Sequence, residues 1–242
     1  MFRPYYTPVW FNGWDIVFEG IIVLIALLIA AYSWKAYKLN KENRFAYFSL
    51  ALLLIALGLG LKIITGSITY FGPARDAALE TLRPLAGEHL EFTHLLYRTG
   101  FFLQMVPVLG ALLLIFFVSQ KPRDRLHKYY ELSQMALFVY LILLISVVSN
   151  FKYFVFYLTS AVLLGLITLN YYKNYLNSNQ NPNAFRVMSA FLIMFFANIF
   201  FIFVFLVEDF YVIAEVLLLV GFLVLLYTYY KITRIKNTPL KK

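Results

Sequence analysis

Seven long apolar runs, at roughly 15–38, 45–66, 91–118, 129–149, 152–175, 185–207 and 210–231, take up most of this 242-residue chain. A hydrocarbon core about 30 Å thick needs about 20 apolar residues of helix per crossing, so each run is long enough to span. A backbone inside lipid has no water to bond and must satisfy its own amides, which makes each run a helix. The expected fold is an all-α integral membrane protein, a single seven-transmembrane-helix bundle. Only 14% of residues are charged and the mean hydropathy is +0.75, which leaves no separate soluble domain to look for.

The gaps between runs alternate in charge. Lys35, Lys38, Lys41 and Arg44 flank the first, Lys121, Arg123, Arg125 and Lys128 the third, Lys173 and Arg186 the fifth, and Lys231, Arg234, Lys236, Lys241 and Lys242 the tail. Those fifteen of the 21 Lys and Arg residues fall on one side of the expected membrane. The other side holds Asp15, Asp76, Glu80, Glu88, Glu91, Glu208 and Asp209, with Arg3, Arg75, Arg83 and Lys152 as its loop bases. By the positive-inside rule the amino terminus is expected outside and the carboxyl terminus in the cytoplasm of a multi-pass cell-membrane protein. The aromatic belts agree, with Trp10 and Trp14 at the outer interface and Trp34, Tyr37, Tyr171, Tyr172, Tyr229 and Tyr230 at the inner one. The net charge of +9 is therefore topological and does not point to nucleic acid.

One gap is long. Within 67–90, Gly72-Pro73 precedes Ala77, Ala78 and Leu82 at helical spacing, and Pro84 and Gly87 follow as breakers. This pattern predicts a short amphipathic helix over about 74–82, lying on the outer surface. A weaker pattern, an aromatic residue four before a serine, opens the second, fourth and sixth runs at Phe45 and Ser49, Tyr129 and Ser133, and Phe185 and Ser189. It suits three helical hairpins in one orientation followed by a seventh helix.

Few ionisable groups lie inside the runs. Each costs about 2.5–3.5 kcal/mol at mid-helix on insertion scales, so such groups face the protein interior, pair, or serve function. Glu19, Lys62, His94, Arg98 and Glu215 form this set, and all belong to the outer half. Rises of about 1.5 Å per residue put Glu19 and Lys62 about 6 Å below the outer end, and Arg98 and Glu215 about 8–10 Å below it. Two acids and two bases on four helices suggest compensating pairs, Lys62 or Arg98 with Glu19 or Glu215. Asp15 and Glu19 share a face at i, i+4, as do Glu91, His94 and Arg98 at i, i+3 and i+7. The neutral groups Gln104, Ser146, Thr159, Ser160 and Asn198 extend toward the centre. Gly58-x-Gly60 and Pro107 mark places for close helix approach or a bend.

Enzyme chemistry finds no motif. With no cysteine there is no thiolate nucleophile or Cys-ligated metal. Glu91-x-x-His94 is half of a di-iron carboxylate pattern without its second half, so no metal and no cofactor is expected. The last run carries no lysine deep enough for a retinal Schiff base. The expected function is non-catalytic: an outward-facing polar pocket of Glu19, Lys62, His94, Arg98 and Glu215 binds a small ligand and signals to a protein partner at the basic cytoplasmic face. A transporter or channel subunit and a structural subunit of a membrane complex are the alternatives.

Overall fold

The computed structural model describes residues 7–71, 73, 77, 92–120 and 153–236, with residues 9, 69, 70, 92–99 and 233–236 described in their backbone only. Six long helices account for nearly all of it: α1 (Trp14–Asn40), α2 (Asn43–Tyr70), α3 (Phe92–Ser119), α4 (Tyr153–Asn177), α5 (Pro182–Ile202) and α6 (Asp209–Lys236). All six are long and apolar enough to cross a membrane, as a multi-pass membrane protein requires. Each packs on the next in chain order and α6 closes back onto α1, so the described helices form a ring.

The buried stripe on α1 shows why these sequences make a bundle and not independent spans. Asp15, Glu19, Ile22, Ala26, Ile29 and Ser33, spaced by three and four, are buried, while Val17, Leu24 and Leu28 on the opposite side are exposed. Polar side chains lie inside and leucines outside, the arrangement a lipid-facing surface demands. The α1–α2 hairpin is tight. Lys41, at φ 57°, ends α1 in the left-handed region and donates its amide to the Tyr37 carbonyl. Two serines then clamp the pair, Ser33 Oγ donating to the Phe45 carbonyl at 2.8 Å and Ser49 Oγ to the Ala30 carbonyl at 2.9 Å. At the α4–α5 turn, the Asn181 side chain caps α5 by accepting from the Asn183 amide, with Pro182 at the first helical position.

Helix direction follows from which ends meet. Phe101 and Tyr153, near the starts of α3 and α4, have ring centroids 4.5 Å apart. At the far end, Asn170 and Asn174 donate to the Ser119 hydroxyl and carbonyl. The two helices therefore run parallel, and Ser119 and Tyr153 sit at opposite ends of the bundle. The starts of α1 and α6 share an end, where Phe11 packs on Tyr211.

Six of the seven expected spans coincide with described helices, with ends differing by a few residues. At the sixth run, expected to reach 207, α5 stops at Ile202 and residues 203–208 turn. Leu206 N–H donates to the Phe203 carbonyl in this turn, which has neither Gly nor Pro. Its exposed hydrophobic residues are Phe203, Phe205, Leu206 and Val207, so hydropathy reads on through it as helix. The run at 129–149 lies outside the described residues, as does the expected 74–82 helix apart from Ala77.

Candidate functional site

Three of the five expected site residues converge. Lys62 on α2 forms ion pairs with Glu19 on α1 and with Glu215 on α6, the latter at 3.3 Å from Nζ to Oε1. Nζ also donates to the Tyr211 hydroxyl at 3.2 Å. Glu19, Lys62 and Glu215 are only 2%, 5% and 1% exposed. A buried ammonium is tolerable when each of its three N–H groups has an acceptor, and these three partners supply that number. Tyr211 was not among the expected site residues, yet it lies four residues before Glu215 and hence on the same helix face. His94 and Arg98 lie in the first turns of α3, and their side chains fall outside the described residues, as does the expected meeting of Arg98 with a carboxylate.

The expected pocket opened outward from these groups. A cavity that Lys62 and Glu215 border runs from them along the bundle axis. Aromatic packing fills the end where α1 and α6 start: the short 3-10 turn Val9–Phe11 folds in, burying Phe11 against Phe18 and Tyr211. Beyond it, Tyr211 meets Phe201, which stacks on Tyr157 at 4.5 Å. Rings at these positions bury large areas in offset and edge contacts.

The axial cavity has a volume of about 80 Å³ and is lined by α2, α3, α4, α5 and α6. Each contributes residues one helical turn apart, such as Leu52, Ile55, Leu59 and Lys62 from α2 and Glu215, Leu218, Phe222 and Leu225 from α6. The lining is segregated. Lys62, Gln104, Tyr157, Ser160, Asn198 and Glu215 gather toward the Lys62 end, and Leu52, Leu112, Ile115, Leu164 and Leu225 make the other end apolar. Past that end the rings close again, Phe48 stacking on Tyr229 and Tyr171 on Phe191 at centroid distances of 5.2 Å.

Three polar atoms bordering this cavity have no hydrogen-bond partner among the described residues: Gln104 Oε1, Ser160 Oγ and Glu215 Oε2. Their residues are 3%, 1% and 1% exposed. An unsatisfied buried polar group costs about 1–3 kcal/mol, so three around one space are an arrangement that asks for a partner. Asn198, by contrast, satisfies its amide on the Met194 carbonyl, and Thr159 donates to the Val155 carbonyl away from the axis. Ser146 lies outside the described residues.

Comparison with known protein families, with characterised proteins and with solved structures gives no match to the chain.

Proposed function

We propose that this chain is a non-catalytic, seven-helix membrane protein that binds a small molecule on its bundle axis and passes its occupancy to a protein partner at the cytoplasmic face. The observation carrying this is the axial cavity, lined by five helices and bordered by three buried polar atoms without partners. Occupancy of such a space touches α2 through α6 at once, which is how one small ligand biases the packing of a whole bundle.

The seventh span and its orientation belong to the same proposal. Parallel α3 and α4 leave Ser119 and Tyr153 at opposite ends, and the expected run at 129–149 has the length and hydropathy to connect them through the membrane. The basic residues at the α1–α2 turn, the α4–α5 turn and the carboxyl end support an orientation with those ends in the cytoplasm of a cell and the amino terminus outside.

A transporter is the second reading, favoured by the buried ion cluster sitting on the axis with Gln104, Ser160 and Asn198 stepping inward from it. The apolar inner end of the cavity and the stacked rings beyond it support binding over passage. Two measurements on protein in lipid nanodiscs and vesicles test this. Gentle extraction followed by native mass spectrometry is expected to retain one small molecule per chain, lost when Leu112→Trp fills the cavity. Proteoliposomes are expected to show no proton flux above protein-free vesicles. A flux abolished by Glu215→Gln would instead make the chain a transporter.

A further inference from the structure

Three oxygens border the axial cavity without hydrogen-bond partners among the described residues: an amide oxygen at Gln104, a hydroxyl oxygen at Ser160 and a carboxylate oxygen at Glu215. Charge reinforces the pattern. Glu19 and Glu215 share the single ammonium of Lys62, so the described cluster keeps one negative charge over. Asp15, a turn earlier on α1, accepts from the Gly13 and Ile16 amides and does not line the cavity. Nζ of Lys62 is directed to Glu19, Glu215 Oε1 and Tyr211, and the unpartnered oxygen of Glu215 is the other one, Oε2. The surplus charge therefore reaches the cavity through the atom that lacks a partner. A buried charge without a counter-charge is among the costliest features a bundle can hold, and a bound cation removes that cost.

Size limits which cation fits. The cavity volume of about 80 Å³ is about half that of an engineered apolar cavity that takes up benzene, and a water's share of the liquid is about 30 Å³. The space thus takes about two or three bodies the size of water, and no ring or alkyl chain. Sodium, potassium and ammonium ions are within that size and leave room for water beside them. Charge narrows the class further. A monovalent ion brings the cluster to neutrality, whereas a divalent one leaves it positive beside Lys62. Amide, hydroxyl and carboxylate oxygens suit hard cations and equally accept the N–H groups of an ammonium ion. Water alone would serve the three oxygens and leave the charge.

We propose that the polar end of the axial cavity binds a small monovalent cation, held by Glu215 Oε2 with Gln104 and Ser160 contributing directly or through a shared water. This rests on the reading of the cavity as a ligand site and adds the class of ligand. The test is thermal unfolding of the full chain in mild detergent, at constant pH and ionic strength, in the chlorides of sodium, potassium, ammonium, choline and magnesium. Choline has the right charge and the wrong size, and magnesium the reverse.

At least one of the three small monovalent cations is expected to raise the unfolding temperature saturably, by about 5 °C over choline, as a ligand well above its Kd does. Magnesium is expected to match choline. Glu215→Gln should abolish the rise, because it removes the surplus charge. Ser160→Ala is the second variant, since a single methyl fits wherever a hydroxymethyl does. It should keep or raise the unfolding temperature in choline and move the cation titration to severalfold higher concentration. A rise given equally by choline, or one that both variants leave unchanged, would overturn the cation site in this cavity. No rise with any small cation, while native mass spectrometry retains a molecule that Leu112→Trp expels, would overturn the cation and keep the ligand site. Neither a rise nor a retained molecule would overturn the ligand site itself.

Discussion

Lys62 Nζ on α2 lies 3.3 Å from Glu215 Oε1 on α6, joining helices 153 residues apart in the chain, and the same Nζ pairs with Glu19 on α1. One ammonium thus ties together three helices near the starts of α1 and α6. Such a cluster is easily broken by removing one member and less easily by removing all of them, because the cost lies in leaving a buried charge uncompensated.

Lys62→Met should therefore destabilise the protein by about 3–5 kcal/mol, the usual cost of stranding partners of a buried pair. The triple variant Glu19→Gln, Lys62→Met, Glu215→Gln should recover most of that loss. Thermal unfolding in a mild detergent, followed by helical circular dichroism, reads both. A Lys62→Met variant as stable as the parent would mean that the cluster does not hold these helices.

The α2–α3 seam offers a sharper contrast. A Cβ at Gly58 would meet Val108 Cγ2 at 2.7 Å and the Gln104 carbonyl oxygen at 3.0 Å, whereas a Cβ at Gly60 meets nothing within 4 Å. Gly58 sits against the stretch of α3 that holds Pro107, whose missing amide cannot donate to the Leu103 carbonyl. Gly58→Ala should cost about 1–3 kcal/mol by overpacking. Gly60→Ala should be neutral or slightly stabilising, since alanine is the better helix former. Equal effects in the same unfolding assay would show that the seam is not tightly packed at Gly58.

The two glycines also show how far a sequence carries. Gly58-x-Gly60 reads as a place for close approach, yet only the packed bundle separates the one that faces α3 from the one that faces open space. Charge behaves likewise. Intramembrane cost singles out Glu19, Lys62, His94, Arg98 and Glu215, and the short list of possible pairs contains the two observed ones, Lys62 with Glu19 and with Glu215. The side on which a cavity opens is another matter. It depends on how Phe11, Tyr157, Phe201 and Tyr211 fill the end where α1 and α6 start, and ring packing across four different segments leaves no periodic trace in any one of them. Gln104 and Ser160 were legible as central polar groups, but their lack of partners is a property of the assembled axis.

Ser160 gives a prediction that separates stability from function. Its hydroxyl is buried without a hydrogen-bond partner among the described residues, so in the empty protein it contributes a desolvation cost and no bond. Ser160→Ala should leave stability unchanged or raise it by up to about 1 kcal/mol. Thr168, equally on α4 but bonded to the Leu164 carbonyl at 2.8 Å, is the control. Thr168→Ala should gain nothing. A loss of stability in Ser160→Ala larger than in Thr168→Ala would show that the hydroxyl has a structural partner and is not a group held for a ligand.

Topology can be read directly, because the chain has no native cysteine to confuse thiol labelling. Asn12 lies in the exposed turn before α1, Gln120 just past the end of α3, and Ser178 in the exposed turn between α4 and α5. The asparagines of α4 that bond Ser119 put Gln120 and Ser178 at the same end of the bundle, opposite Asn12. Under the proposed orientation that shared end is the cytoplasmic one. In intact cells a membrane-impermeant maleimide should label Asn12→Cys, and should label Gln120→Cys and Ser178→Cys only after permeabilisation. Labelling of all three from outside would defeat the orientation and the packing together. Labelling of Gln120→Cys and Ser178→Cys from outside with Asn12→Cys protected would keep the bundle and reverse it in the membrane, which would place the ion cluster of Lys62 nearer the cytoplasm and the apolar end of the cavity nearer the exterior.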